Sequence, residues 1–146
     1  LDSRYMISIR EEKGGTYGVR VSGETNKYPV EQYVITIKFD TNEQLADELV
    51  EICDKEIKRI AEEGPLVEDI AKSKEFLQKN YNNILESNSG WLSTIYNWYE
   101  EGYNYKDEYL DILASITEDD IKALAQRILA DGNRTLVVMR PGATTE

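Results

Sequence analysis

The run Glu31-Gln32-Tyr33-Val34-Ile35-Thr36-Ile37-Lys38-Phe39-Asp40-Thr41-Asn42-Glu43-Gln44-Leu45 decides the fold, because its apolar spacing changes part-way along. Over Glu31 to Asp40, Tyr33, Ile35, Ile37 and Phe39 occupy every second position, with Val34, Thr36 and Lys38 between them. A period of two is that of a strand with one buried face. Beyond Asp40 the period lengthens. Thr41 and Gln44 form a T-x-x-Q capping box, and Leu45, Leu49, Ile52, Cys53, Ile57 and Ile60 follow at helical spacing until Gly64-Pro65 stops them.

Towards the N-terminus, Tyr17, Val19 and Val21 alternate with Gly18, Arg20 and Ser22, giving a second strand over residues 17–22. Gly23 to Pro29 reads as a polar turn, so the two strands make an antiparallel hairpin. Residues 4–12 read as a helix tail ended by Gly14-Gly15, since glycine takes up positive φ without steric penalty. Towards the C-terminus, a helix from about Val67 carries Ile70, Ala71, Leu77, Tyr81, Ile84 and Leu85 on one stripe and ends near Asn88-Ser89-Gly90. A helix from Trp91 to about Glu101, a break at Gly102 and a short helix near Asp107 to Leu113 follow. Thr117 with Asp120 opens a further helix closed by Asp131-Gly132, Thr135 to Met139 reads as a last strand, and residues 141–146 as an acidic tail. This order predicts an α+β fold in two layers, a small, mostly antiparallel sheet covered on one face by helices. No repeat or long linker marks a second domain, so residues 1–146 are expected to form one.

Composition removes whole classes of chemistry. The chain has 28 acidic and 17 basic residues, a net charge of -11, one cysteine and no histidine. A Ser-His-Asp hydrolase, a histidine general base and an imidazole-bound zinc all need a side chain that is absent. The acidic balance disfavours nucleic acid and anionic membranes, which require clustered Lys and Arg. No apolar run approaches the roughly 20 residues of a membrane span. Cys53, among Leu49, Ile52, Ile57 and Ile60, reads as a small buried group. The chain opens without signal peptide or initiator methionine, inside what reads as a helix end, and is expected to be a fragment of something longer.

Several constellations favour bland readings. Gly14-Gly15-Thr16 follows a helix and precedes a strand, the inverse of a phosphate loop. Glu11-Glu12, Glu62-Glu63 and Glu118-Asp119-Asp120 read as solvated surface, the last favoured by the helix dipole. Trp91, Tyr96, Trp98, Tyr99, Tyr103, Tyr105 and Tyr109 suit core or interdomain packing better than ligand stacking.

The segment Arg10-Glu11-Glu12-Lys13-Gly14-Gly15-Thr16-Tyr17 remains. Taken alone, Arg10 fits a surface ion pair and Tyr17 an ordinary strand aromatic, or both fit donors to a carbonyl oxygen. Here the chain resembles the pitrilysin/insulinase family of zinc metallopeptidases, the inverzincins, whose C-terminal lobes carry a segment like R-E-x-x-G-x-x-Y. The likeness continues through the strand pair, the long helix, Gly64-Pro65 with Glu68 to Lys74 beyond it, Asn88 with Trp91, Ile116 to Ile121, and Thr135 to Arg140. Leu66 departs from the Thr or Ser helix cap of many relatives.

The resemblance implies a mitochondrial-processing-peptidase-like lobe, the noncatalytic C-terminal part of a peptidase, with the first elements of the lobe missing. Arg10 and Tyr17 would bind peptide substrate and serve as transition-state donors. No catalytic or metal-binding residue is expected in this chain, and zinc would belong to the full-length enzyme. The zinc motif His-x-x-Glu-His would lie on another lobe, in the same polypeptide or a partner subunit, and the chain alone would be inactive. The resemblance is compatible with a periplasmic or secreted location, and an incomplete lobe could form homo-oligomers. The alternative is a catalytically inert scaffold or assembly module of a peptidase-like complex.

Overall fold

The computed structural model describes residues 1–11, 14, 16 and 18–140, with the backbone alone for Asp2, Ser3, Arg10 and Glu11. The expected tail at 141–146 lies outside the described residues. A short helix α1 (Asp2–Tyr5) continues as a π-helical segment (Met6–Glu11), followed by strands β1 (Val19–Asn26) and β2 (Gln32–Phe39). Five helices complete the order: α2 (Ala46–Glu63), α3 (Val67–Leu85), α4 (Asn88–Glu101), α5 (Tyr105–Ser115) and α6 (Glu118–Asp131). The fold is α+β. Two compact units are present, one of residues 1–62 with 125–146 and one of residues 63–124.

In the first unit, β1 and β2 pair antiparallel, with Val19 opposite Phe39, Val21 opposite Ile37 and Asn26 opposite Gln32. The register puts the alternating apolar residues of both strands on one face, and that face meets α1, its π-helical extension and α2. Tyr5, Ile9, Val19, Leu49 and Cys53 form the buried cluster, with Val21, Ile37, Phe39, Leu45, Ile52 and Ile57 packed around it. Tyr5, Ile9 and Leu49 are fully buried, Ile9 and Leu49 each contributing roughly 1.5–3 kcal/mol by leaving water. The opposite face, with Arg20, Ser22, Val34 and Lys38, is exposed, as the period of two requires.

Three local expectations are corrected here. The strand expected to end at Ser22 runs on to Asn26, because Gly23, Glu24 and Thr25 also have ladder partners in Ile35, Val34 and Tyr33; the turn is thereby shortened. The N-terminal cap of α2 comes from Asn42, whose Oδ1 accepts the Leu45 N–H at 2.9 Å, while Thr41 Oγ1 is buried with no partner among the described residues. No strand forms at Thr135 to Met139. That stretch pairs with no other strand among the described residues and is tied to α2 by charge instead. Arg134 Nη2 lies 3.0 Å from Asp54 Oδ2, and Arg140 Nη2 lies 2.9 Å from Asp47 Oδ1. Its apolar side chains stay in water, with Val137 78% and Met139 94% exposed.

In the second unit, α3 begins at Leu66 without a side-chain cap; the Leu66 carbonyl accepts from Asp69 and Ile70 N–H instead. Asn88-Ser89-Gly90 does not stop α3 but starts α4. Ser87 is the cap, its Oγ accepting the Gly90 N–H at 3.0 Å. Gly102, at φ 72°, ends α4 in the left-handed conformation. Thr117 and Asp120 cap α6 reciprocally: Thr117 Oγ1 accepts the Asp120 N–H at 3.2 Å, and Asp120 Oδ2 accepts the Thr117 N–H at 2.7 Å.

Candidate functional site

The Arg10 to Tyr17 segment links the π-helical segment to β1. The backbone of Arg10 belongs to the π-helical segment, its side chain is not among the described parts, and Tyr17 lies outside the described residues. Ile9, just before Arg10, is 0% exposed, and Val19, shortly after Tyr17, is 8% exposed; both belong to the same buried cluster. Gly14 takes φ +60°, a conformation glycine adopts at no steric cost. Thr16 Oγ1 donates to the Gly18 carbonyl at 2.9 Å and accepts the Gly18 N–H at 3.2 Å, which fixes the entry to β1.

The helical side of the segment is held from α2 by groups that sequence reading did not single out. Arg4 is buried, and its Nη1 lies 3.4 Å from Glu56 Oε2, with side chains 8% and 14% exposed. Ser8 Oγ carries one proton and sits 2.8 Å from the Arg4 carbonyl oxygen and 3.0 Å from Glu56 Oε1, so the two acceptors share it. Tyr5 Oη donates to the Cys53 carbonyl at 3.1 Å. Burial first, then the nearby Cys53 and Glu56, push the Tyr5 hydroxyl far above the ordinary tyrosine range, leaving it a donor. Arg59 Nη1 also stands 3.9 Å from Glu56 Oε1, so this carboxylate faces two guanidinium groups. The available sequence signal was the i, i+4 spacing of Arg4 with Ser8 and of Tyr5 with Ile9.

The donor set does not fit a zinc ion. Histidine is absent, and among the described residues no group of three or more Cys, Asp or Glu side chains converges. Cys53 is buried, and its thiol is pushed up to about 11 by burial and then by Asp54, against a smaller lowering by Arg134. A metal ligand or nucleophile must be the thiolate, which such a site disfavours.

The aromatic group divides. Tyr81, Tyr105 and Tyr109 cluster with ring centroids 4.6–5.5 Å apart, Tyr81 and Tyr109 stacked, and Tyr103 meets Tyr105 edge-on at 6.2 Å; Tyr81 is buried and the other three are half-buried. Tyr81 Oη donates to the Lys106 carbonyl at 2.6 Å, and burial pushes the Tyr105 hydroxyl to about 12. Tyr96, Trp98 and Tyr99 of α4 are all exposed, Tyr99 to 88%. A groove lined by Val67, Ile70, Lys74, Ala114 and Ile116 is occupied in part by Lys74, whose Nζ donates to the Ala114 carbonyl at 2.9 Å.

The π-helical tail, the hairpin and α2 follow one another in that order along the first unit. Residues 1–77, which include this whole frame, match the family described as the Peptidase M16 inactive domain. The chain belongs to that family. The M16 chain is 27% identical over 105 residues to a protein from Arabidopsis thaliana described as "Zinc protease PQQL-like", a match covering 68% of this chain and 11% of that protein. Its fold is similar to the periplasmic protease PqqL from Escherichia coli, with a TM-score of 0.68 and 16% identity over 86% of this chain and 14% of the protease. The M16 chain thus spans about a tenth of the length of its curated relative. No helix among the described residues is long and apolar enough to cross a membrane.

Proposed function

We propose that this M16 domain is the noncatalytic C-terminal part of a zinc metalloendopeptidase, helping to enclose and bind peptide substrate, with Arg10 and Tyr17 as donors towards a zinc site on another lobe. The observation that carries the reading is the family match across residues 1–77, which contain both residues in the spacing of the Arg/Tyr segment. The first unit supports it physically, since Ile9 and Val19 anchor the segment at both ends in one core. Residues 1–146 act as a single domain in this reading. The His-x-x-Glu-His lobe is supplied by the same polypeptide or a partner subunit, and the compartment is periplasmic or secreted.

The chemistry follows from the donors. Peptide hydrolysis moves charge onto the scissile carbonyl oxygen, and a Tyr17 O–H aimed there strengthens its hydrogen bond as the charge grows. The Arg10 guanidinium holds substrate backbone or orients Tyr17, and it stays charged at any working pH. In the assembled peptidase, Tyr17→Phe should lower kcat/KM by on the order of 10²-fold with stability unchanged, and Arg10→Ala should also lower it. The double variant should lose less than the sum of the single losses, because both donors serve one carbonyl region. Wild-type kcat/KM in a stable Tyr17→Phe protein would move the weight to the second reading, a catalytically inert scaffold. That reading is favoured by the exposed, stacked pair of Trp98 and Tyr99 on α4, aromatic groups suited to assembly with another subunit or a second copy.

A further inference from the structure

We infer that Glu56 is a positioning residue for Arg10: gripping Arg4 and Ser8 from α2, it fixes the π-helical backbone that carries residue 10. The inference rests on the reading of Arg10 as a substrate-side donor. Its first support is connectivity. One carboxylate takes Arg4 Nη1 on Oε2 at 3.4 Å and the Ser8 hydroxyl on Oε1 at 3.0 Å, so Glu56 bridges α1 to the π-helical segment that contains Arg10. Its second is leverage. Ser8 lies two residues before Arg10, while Tyr5 Oη pegs the preceding turn to the Cys53 carbonyl. Cys53 and Glu56 stand three residues apart on α2, so the two pegs run along both helices and set their mutual register as well as their separation.

The third support is the kind of turn being held. A π-helical turn is wider than an α-turn, occurs mostly as a single turn, and marks functional sites more often than ordinary helix does. The hydrophobic cluster holds Ile9 without any charge. An enclosed carboxylate and guanidinium are therefore not needed for burial, whereas they do give the turn a directional anchor. Placement errors of about 1 Å in a substrate-side group cost on the order of 10²-fold in rate, so such an anchor matters to turnover well before it matters to folding.

The test uses the assembled peptidase and two variants. Ser8→Ala removes one hydroxyl, and Glu56→Gln keeps the side-chain shape while removing its charge; if Glu56→Gln does not fold, Ser8→Ala carries the test. Either variant should lower kcat/KM by about 10-fold and speed amide exchange over residues 7–11, with the amides of α4 unchanged. In an Arg10→Ala background the further loss should disappear, because the route from Glu56 to substrate passes through Arg10. An equal loss in both backgrounds, or unaltered exchange over residues 7–11 in a folded variant, overturns the inference. A damaging Arg10→Ala beside kinetically silent Ser8→Ala and Glu56→Gln overturns it alone and leaves the donor reading standing. Wild-type kinetics in Arg10→Ala remove the donor reading and the inference together.

Discussion

A β-carbon on Gly90 would lie 2.0 Å from the carbonyl oxygen of Ile84 and 2.7 Å from its Cγ2. The approach is that close because the chain doubles back at Ser87, whose Oγ donates to the Ile84 carbonyl at 3.0 Å while accepting the Gly90 N–H. Gly90→Ala must therefore push backbone from backbone. We expect a loss of about 3 kcal/mol, read as a lower urea midpoint at unchanged slope. An unchanged midpoint would mean that the α3–α4 junction has room to relax.

Asp120 gives a pH signature. The Thr117 hydroxyl and backbone N–H, both donating to its carboxylate, hold it below the usual carboxylate range. A depressed folded-state value stabilises the protein above the unfolded pKa, and that contribution is lost as pH falls through the folded one. Asp120→Asn should cost stability at pH 7 and cost progressively less as the solution is acidified. A stability difference independent of pH would show that the carboxylate charge contributes nothing to the cap.

Cys53 should resist alkylation in the native protein at pH 8 and react at the ordinary thiol rate once urea unfolds the chain. Its value rises from 9.0 to about 11, so the protonated thiol supports folding fully below pH 9, and that support is lost as pH climbs towards about 11. Rapid native-state alkylation would require the first unit to open without unfolding.

The isolated chain, loaded with zinc and dialysed, should retain none in stoichiometric amount, because carboxylates suit harder cations and Cys53 is enclosed. Elemental analysis decides. One retained zinc per chain would place a metal site among these residues and remove the need for a histidine-bearing lobe.

How much of this was legible in the sequence depended on whether the signal was periodic or local. The alternation of Tyr33, Ile35, Ile37 and Phe39 and the helical stripe from Leu45 to Ile60 placed the sheet face and α2, since burial on one side is the same constraint that selects the residues. Caps were legible only where one candidate stood alone, as with Thr117 and Asp120. Thr41 lost to its neighbour Asn42, whose longer side chain reaches the Leu45 N–H, and Ser87 turned the expected stop at Asn88 to Gly90 into a start. Thr135 to Met139 has the composition of a strand, but a strand also needs a partner, which composition does not record. For the site, the Arg10 and Tyr17 spacing was readable from the sequence, whereas the Arg4–Glu56 bridge joins residues 52 apart and had no pattern to announce it.

The tie between the C-terminal stretch and α2 makes ionic strength a variable of association. Arg134 and Arg140 hold this part of the chain through pairs open to solvent, which added salt weakens, while Val137 and Met139 face outward beside main-chain groups that join no ladder among the described residues. Salt also screens the repulsion among copies that each carry a net charge of -11. Both effects have the same sign: dilute buffer keeps the stretch fastened and the molecules apart, and concentrated buffer frees an apolar stretch just as neighbouring copies can approach.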